Sequence, residues 1–133
     1  MTCFWDGILA GLRSDDLSLY DLKNKRKETF INFLKSNVNK NNLKKIKWND
    51  GELKDQEIDE HIEAINSYNV NGIGRGHLTS ICDSFLLLIC SMFKLNINHR
   101  YLNNMIKYSY NGEKRGILNV SSNRGHFSFN SRN

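Results

Sequence analysis

Apolar residues in the first dozen positions fall at helical spacing. Phe4, Ile8, Leu9 and Leu12 predict an amphipathic helix that begins beside Cys3, with Thr2 as its N-cap. Gly7 and Gly11 lie four apart on one face of that helix. Each lowers helix propensity by about 1 kcal/mol relative to Ala, so the pair predicts close approach of another backbone. Leu17, Tyr20, Phe30, Phe33 and Leu34 predict a second helical region, interrupted near Asn24. Residues 35–51 are rich in Asn and Lys and read as a loop with at most a short helix over 43–46. Leu53, Ile58, Ile62 and Ile65 then share one face of a surface helix within residues 52–68. Residues 79–94, capped by Thr79 or Ser80, are apolar nearly all round in their second half, which predicts the central buried helix.

After that helix the period changes. Residues 95–99 predict a strand leaving the helix, and residues 105–110 alternate as a strand does. Asn111-Gly112 predicts a hairpin turn into a second strand over 116–121. Asn123-Arg124-Gly125 turns the chain again, and His126-Phe127-Ser128-Phe129 reads as a third strand. Helices first and a meander last predict one α+β domain, with N-terminal helices packed on a small C-terminal antiparallel sheet. A chain of 133 residues suits a single core.

Composition narrows the class. The longest apolar run, residues 85–90, falls far short of the roughly 18–20 residues that cross a bilayer. No basic stretch followed by an apolar one opens the chain, so no signal peptide is expected. Three cysteines without a secretory signal predict free thiols in a reducing, cytoplasmic setting. Nineteen asparagines and no proline fit an AT-biased genome, such as that of an AT-rich protist or of a large DNA virus, whose protein would act in host cytosol or in the virion.

The net charge of +5 is spread in blocks: −3 over residues 1–22, +8 over 23–47, −6 over 48–65 and +6 over the rest. A basic block beside an acidic one neutralises it locally, so a nucleic-acid partner is not expected. Phe30, Phe33 and Trp48 interleaved with lysines keep a basic nucleic-acid binder as an alternative.

The candidate chemistry is a thiol. A cysteine attacks only as thiolate, and a helix N-terminus or a neighbouring imidazole favours that form. Cys3 stands at a predicted helix N-terminus. Four histidines are available. His61 lies on the acidic surface helix, His77 in a glycine-rich loop, and His99 at the end of a predicted strand. His126 opens a strand after a tight turn, where a sheet can aim it. Cys82 and Cys90 fall in the buried helix as packing residues, and their spacing of eight does not match a zinc pair. The glycines of the 71–77 loop lack the preceding strand and the Gly-Lys-Ser/Thr of a phosphate-binding loop. No metal or cofactor is expected.

Cys3-Phe4-Trp5-Asp6-Gly7-Ile8 resembles the Cys-Leu-Phe-x-Ala/Ser-aliphatic motif of the OTU (ovarian tumour) cysteine proteases. His126-Phe127 resembles that family's C-terminal histidine, which starts a strand after a tight turn and is followed by an aromatic residue. The order between them also resembles a minimal domain of that papain-like fold: glycine-rich loop, apolar helix, strand, further strands. The chain departs from the family in two ways. Only Met1 and Thr2 precede Cys3 where the family has an Asp-Gly-x segment, and Ser128 stands where an Asp or Asn often orients the histidine.

The resemblance implies a monomeric deubiquitinase that hydrolyses bonds at the C-terminus of ubiquitin or a ubiquitin-like protein. Cys3 would be nucleophile and His126 base, with Ser128 or Asn130 orienting the imidazole. Trp5 and Phe127 would contact substrate, although Trp5 also reads as core. A binding module that keeps this fold without catalysis, and a papain-like protease of other polypeptides, are the alternatives.

Overall fold

The computed structural model describes residues 3–72 and 82–133. The described residues form helices α1 (Cys3–Gly11), α2 (Ser14–Ser18), α3 (Lys27–Asn37), α4 (Lys40–Leu43), α5 (Asp55–Ser67) and α6 (Cys82–Phe93). The strands are β1 (Ile46–Trp48), β2 (Gly51–Glu52), β3 (Leu95–Tyr101), β4 (Asn104–Tyr110), β5 (Gly116–Ser122) and β6 (Phe127–Arg132). The expected caps Thr2, Thr79 and Ser80, and the loop residues 73–77 including His77, lie outside the described residues.

The α+β class holds, but the sheet is neither small nor wholly antiparallel. Six strands run in the order β2-β1-β4-β3-β5-β6, and the β3–β5 pair is parallel. The reversal expected at Asn111-Gly112 does occur, because β4 and β5 run in opposite directions. They do not pair with each other, since β3 is inserted between them. Leu95 and Ile97 of β3 are fully buried, which suits a central strand better than an edge. The backbone N–H of Arg115 donates to Lys94 O at 2.7 Å and carries the connection across the start of β3.

The segment read as a loop supplies the other end of the sheet. Trp48 pairs with Gly51, and Asn49 and Asp50 between them take φ of 50° and 67°. Two positive φ values in a two-residue loop make the primed turn that matches strand twist, which Asn and Asp tolerate.

Alternation along the strands gives the sheet one apolar face. Leu95 and Ile97, Tyr108, Leu118 and Val120, and Phe127 are buried there. α1 and α6 cover this face. Trp5 is fully buried at their junction, with its ring 4.8 Å from that of Phe85 and its Nε1–H donating to Tyr68 Oη at 3.1 Å. The opposite face carries cross-strand polar pairs. Asn98 Nδ2–H donates to Asn119 Oδ1 at 3.1 Å, and Asn119 Nδ2–H donates to Ser131 Oγ at 3.0 Å.

α1 lies against β6, the approach its two glycines predicted. A Cβ at Gly7 would stand 2.8 Å from the Phe127 ring, and one at Gly11 would stand 3.0 Å from the Phe129 ring. A buried ion cluster holds the ends of this pair. Asp16 is fully buried and accepts from both Arg132 and Arg115, while its Oδ2 also accepts from the Arg13 N–H at 2.7 Å. Arg132 Nη1 further donates to Gly11 O at 3.0 Å, joining the last strand to the end of α1.

Candidate active site

The apolar face of the sheet extends beyond the helices that cover it. The first described residues of α1 and α6 and four strands of the sheet line one cleft. Cys3 and Phe4 come from the start of α1, Cys82 and Asp83 from the start of α6. His99 and Tyr101 of β3, Ile106 of β4, Ser122 of β5 and Phe127 of β6 form the sheet side. The turn that carries Asn123, Arg124 and His126 closes one end. The cavity measures about 260 Å³.

Cys3 and His126, separated by almost the whole chain, therefore line one cleft. Cys3 is half-buried as the first residue of α1. His126 is exposed and precedes β6 instead of opening it. Its carbonyl accepts from the Asn123 N–H at 2.9 Å, and Asn123 Oδ1 accepts from the Gly125 N–H at 2.9 Å, so the turn is held by its own atoms. Phe127 serves as both wall and packing residue, its ring 4.8 Å from Phe4 and 5.6 Å from His99.

Three expected site residues are placed elsewhere. Trp5 belongs to the core and does not line the cleft, because its ring packs against Phe30 of α3, Tyr68 and Phe85 of α6. Ser128 and Asn130 project from the sheet face opposite the one bearing Phe127, where Asn130 Oδ1 accepts from Ser121 Oγ at 3.2 Å. Neither is among the residues that line the cleft. The two-residue alternation that puts Phe127 and Phe129 against α1 turns Ser128 away.

The cleft also holds polar groups that were not expected there. His99 is 4 % exposed, and its Nε2 shares a 2.6 Å hydrogen bond with Ser122 Oγ. Burial lowers its proton affinity below the ordinary imidazole range, against the pull of the nearby Asp83 carboxylate. Asp83 accepts from the Tyr108 hydroxyl, and burial together with that carboxylate raises the Tyr108 pKa. Burial, reinforced by Asp83 and Cys3, raises the Cys82 thiol well above its usual range, so it stays protonated. His61, on its acidic helix, is half-buried, with its Nδ1 2.8 Å from Ser84 Oγ in α6.

Two of these residues left signals in the sequence. Asp83 is the one acid within the apolar 79–94 segment, and His99 follows Leu95 and Ile97 at the strand period that sets the buried face. Among the described residues, no group of His, Cys, Asp and Glu is arranged to hold a metal ion. All three cysteines are free. No described helix is long and apolar enough to cross a membrane. No family model matches the chain, and no curated protein or solved structure matches it.

Proposed function

We propose that this chain is an OTU-like, papain-type thiol hydrolase acting on (iso)peptide bonds at the C-terminus of ubiquitin or a ubiquitin-like protein. The observation that carries the proposal is the shared cleft: the helix-start thiol of Cys3 and the imidazole of His126 line one cavity. The motif resemblance around both residues supports it, as does the packing of β6, which follows His126, on the Cys3 helix through Gly7 and Gly11. The three free thiols agree with a reducing, cytosolic setting.

In this mechanism His126 takes the Cys3 proton, and the thiolate adds to the carbonyl carbon of the scissile bond. Collapse of the tetrahedral adduct expels the amine, which leaves with the proton held by His126. Water, deprotonated by His126, then hydrolyses the thioester and frees Cys3. Phe127 lines the cleft as an apolar wall for the acyl chain.

The test is reaction with ubiquitin that carries an electrophile at its C-terminus. A covalent adduct mapped to Cys3, absent in Cys3→Ala and strongly slowed in His126→Ala, is expected. Binding of the probe without an adduct would replace the enzyme by a binding module. Adduct formation that persists in Cys3→Ala would remove Cys3 from the mechanism.

A further inference from the structure

His99 Nδ1 is buried and has no hydrogen-bond partner among the described residues. A buried donor or acceptor left unpaired costs about 1–3 kcal/mol, so such a group needs a reason. Its neighbours leave little freedom in its role. Ser122 Oγ at 2.6 Å fixes the opposite ring nitrogen, and the Phe127 ring 5.6 Å away packs beside the imidazole. With the Ser122 hydroxyl donating to Nε2, the neutral ring carries its proton on Nδ1 and presents an N–H. Burial favours that neutral form. The residue lines the cavity that holds Cys3 and His126.

The geometry points to His99 as the hydrogen-bond donor, through Nδ1–H, for the carbonyl oxygen of an acyl group attacked by Cys3. The inference rests on the reading of Cys3 as nucleophile and adds to it the group that receives the developing charge. When Cys3 sulfur bonds to the carbonyl carbon, the electron pair of the C=O π bond moves to oxygen. The Nδ1–H stabilises that oxygen by a hydrogen bond and keeps its proton, and the pair returns when the amine leaves. A neutral imidazole suits this task, as it does in triosephosphate isomerase, where a histidine held neutral polarises the substrate carbonyl. Ser122 holds the ring through Nε2, as an orienting partner does for other active-site histidines.

Two substitutions separate the ring's two nitrogens. The amide nitrogen of Asn at position 99 falls near the place of Nδ1, while that of Gln falls near Nε2. The probe is a peptide aldehyde ending in Gly-Gly, to which the Cys3 thiol adds to give a thiohemiacetal whose oxygen occupies the oxyanion position. Affinity is measured for the intact chain, His99→Asn, His99→Gln and Cys3→Ala.

The expected result is Cys3-dependent binding that His99→Asn retains and His99→Gln weakens by about 10²-fold, the scale of one oxyanion donor. Equal affinity in the intact chain and His99→Gln would overturn the inference and leave Cys3 standing as nucleophile. Loss in His99→Asn with retention in His99→Gln would also overturn it, by tracing the effect to the Ser122 bond. Absence of Cys3-dependent binding in the intact chain would overturn the nucleophile reading and the inference together. Nitrogen-15 spectra of the unsubstituted chain give a check that does not depend on a variant folding. The His99 Nδ1–H resonance is expected to shift when aldehyde is added, and an unmoved resonance at saturation would refute the assignment.

Discussion

Gly7 and Gly11 show how a single missing methyl positions the candidate site. A Cβ at Gly7 would meet the Phe127 ring at 2.8 Å and the Phe129 backbone N at 3.4 Å. Alanine would gain about 1 kcal/mol of helix propensity, yet overpacking a buried contact costs about 1–3 kcal/mol. Packing wins, because the neighbour is a ring wedged beneath the cleft as well as a strand backbone. Gly7→Ala should therefore lower unfolding stability and move the His126 turn away from Cys3. Urea denaturation checks the first effect, and a more stable variant would contradict it.

Two imidazoles, the buried His99 and the half-buried His61, add a dependence on pH. Burial lowers the proton affinity of both His61 and His99, partly opposed at His61 by Asp83, Glu57 and Glu60 and at His99 by Asp83. The unfolded chain takes up these protons near pH 6.5, before the folded chain does. Stability is thus fully present above that pH and falls as the pH drops through it toward the depressed folded values. His61→Asn keeps an N–H near the Ser84 hydroxyl without titrating. It should show a shallower loss of stability below pH 6.5 than the unsubstituted chain, as followed by thermal melts.

Among the elements, the helices were more legible than the pairing of the strands. Apolar spacing located α1, α5 and α6 because a helix is a local object whose face repeats every 3.6 residues. The meander failed at one point, since Asn111-Gly112 reports that the chain reverses but not what lies between the two arms. β3 takes that place because its alternating Leu95, Ile97 and His99 belong at the centre of the apolar face. The β1–β2 hairpin was missed because three- and two-residue strands carry too little alternation, although Asn49-Asp50-Gly51 held the turn signal. Which sheet face Ser128 and Asn130 occupy was not legible for a similar reason. Alternation shows that they share a side, but only the packing of Phe127 and Phe129 on α1 shows which side that is.

The Asp16 cluster is the clearest energetic link between elements, joining α2, the end of α1, β6 and Arg115. Desolvation by burial would raise the Asp16 pKa, but hydrogen bonds from Arg132, the Arg13 N–H and Arg115 outweigh it and bring it to about 2. A carboxylate whose pKa falls on folding stabilises the fold above its unfolded value, near 3.8, and loses that contribution as the pH falls toward 2. At 1.36 kcal/mol per pKa unit this linkage is about 2 kcal/mol. Asp16→Asn should be at least that much less stable at neutral pH, with the gap closing between about pH 4 and 2. A gap that stays constant through acid unfolding would contradict the cluster's role.

For the whole molecule, the cleft is assembled from the start of the chain, the start of α6, the central strands and the turn before β6. The sequence contained the two reactive residues and their separate settings, a thiol at a helix start and a histidine after a turn. It did not contain their meeting place, which depends on the parallel β3–β5 pair bringing Ser122 beside His99 and the following turn toward Cys3. If β3 is the centre of the sheet, its amides should exchange with solvent more slowly than those of the two-residue edge strand β2. Hydrogen-exchange mass spectrometry reads this directly, and faster exchange in β3 than in β2 would contradict the strand order.

The central claim is that Cys3 and His126 act together on an acyl carbonyl in that cleft. Hydrolysis of a fluorogenic amide at the C-terminus of ubiquitin measures it most directly. The account predicts turnover by the intact chain, lost in Cys3→Ala and reduced by at least about 10²-fold in His126→Ala, the lower end of what a general base contributes. No turnover by the intact chain, or turnover that survives Cys3→Ala, would contradict it.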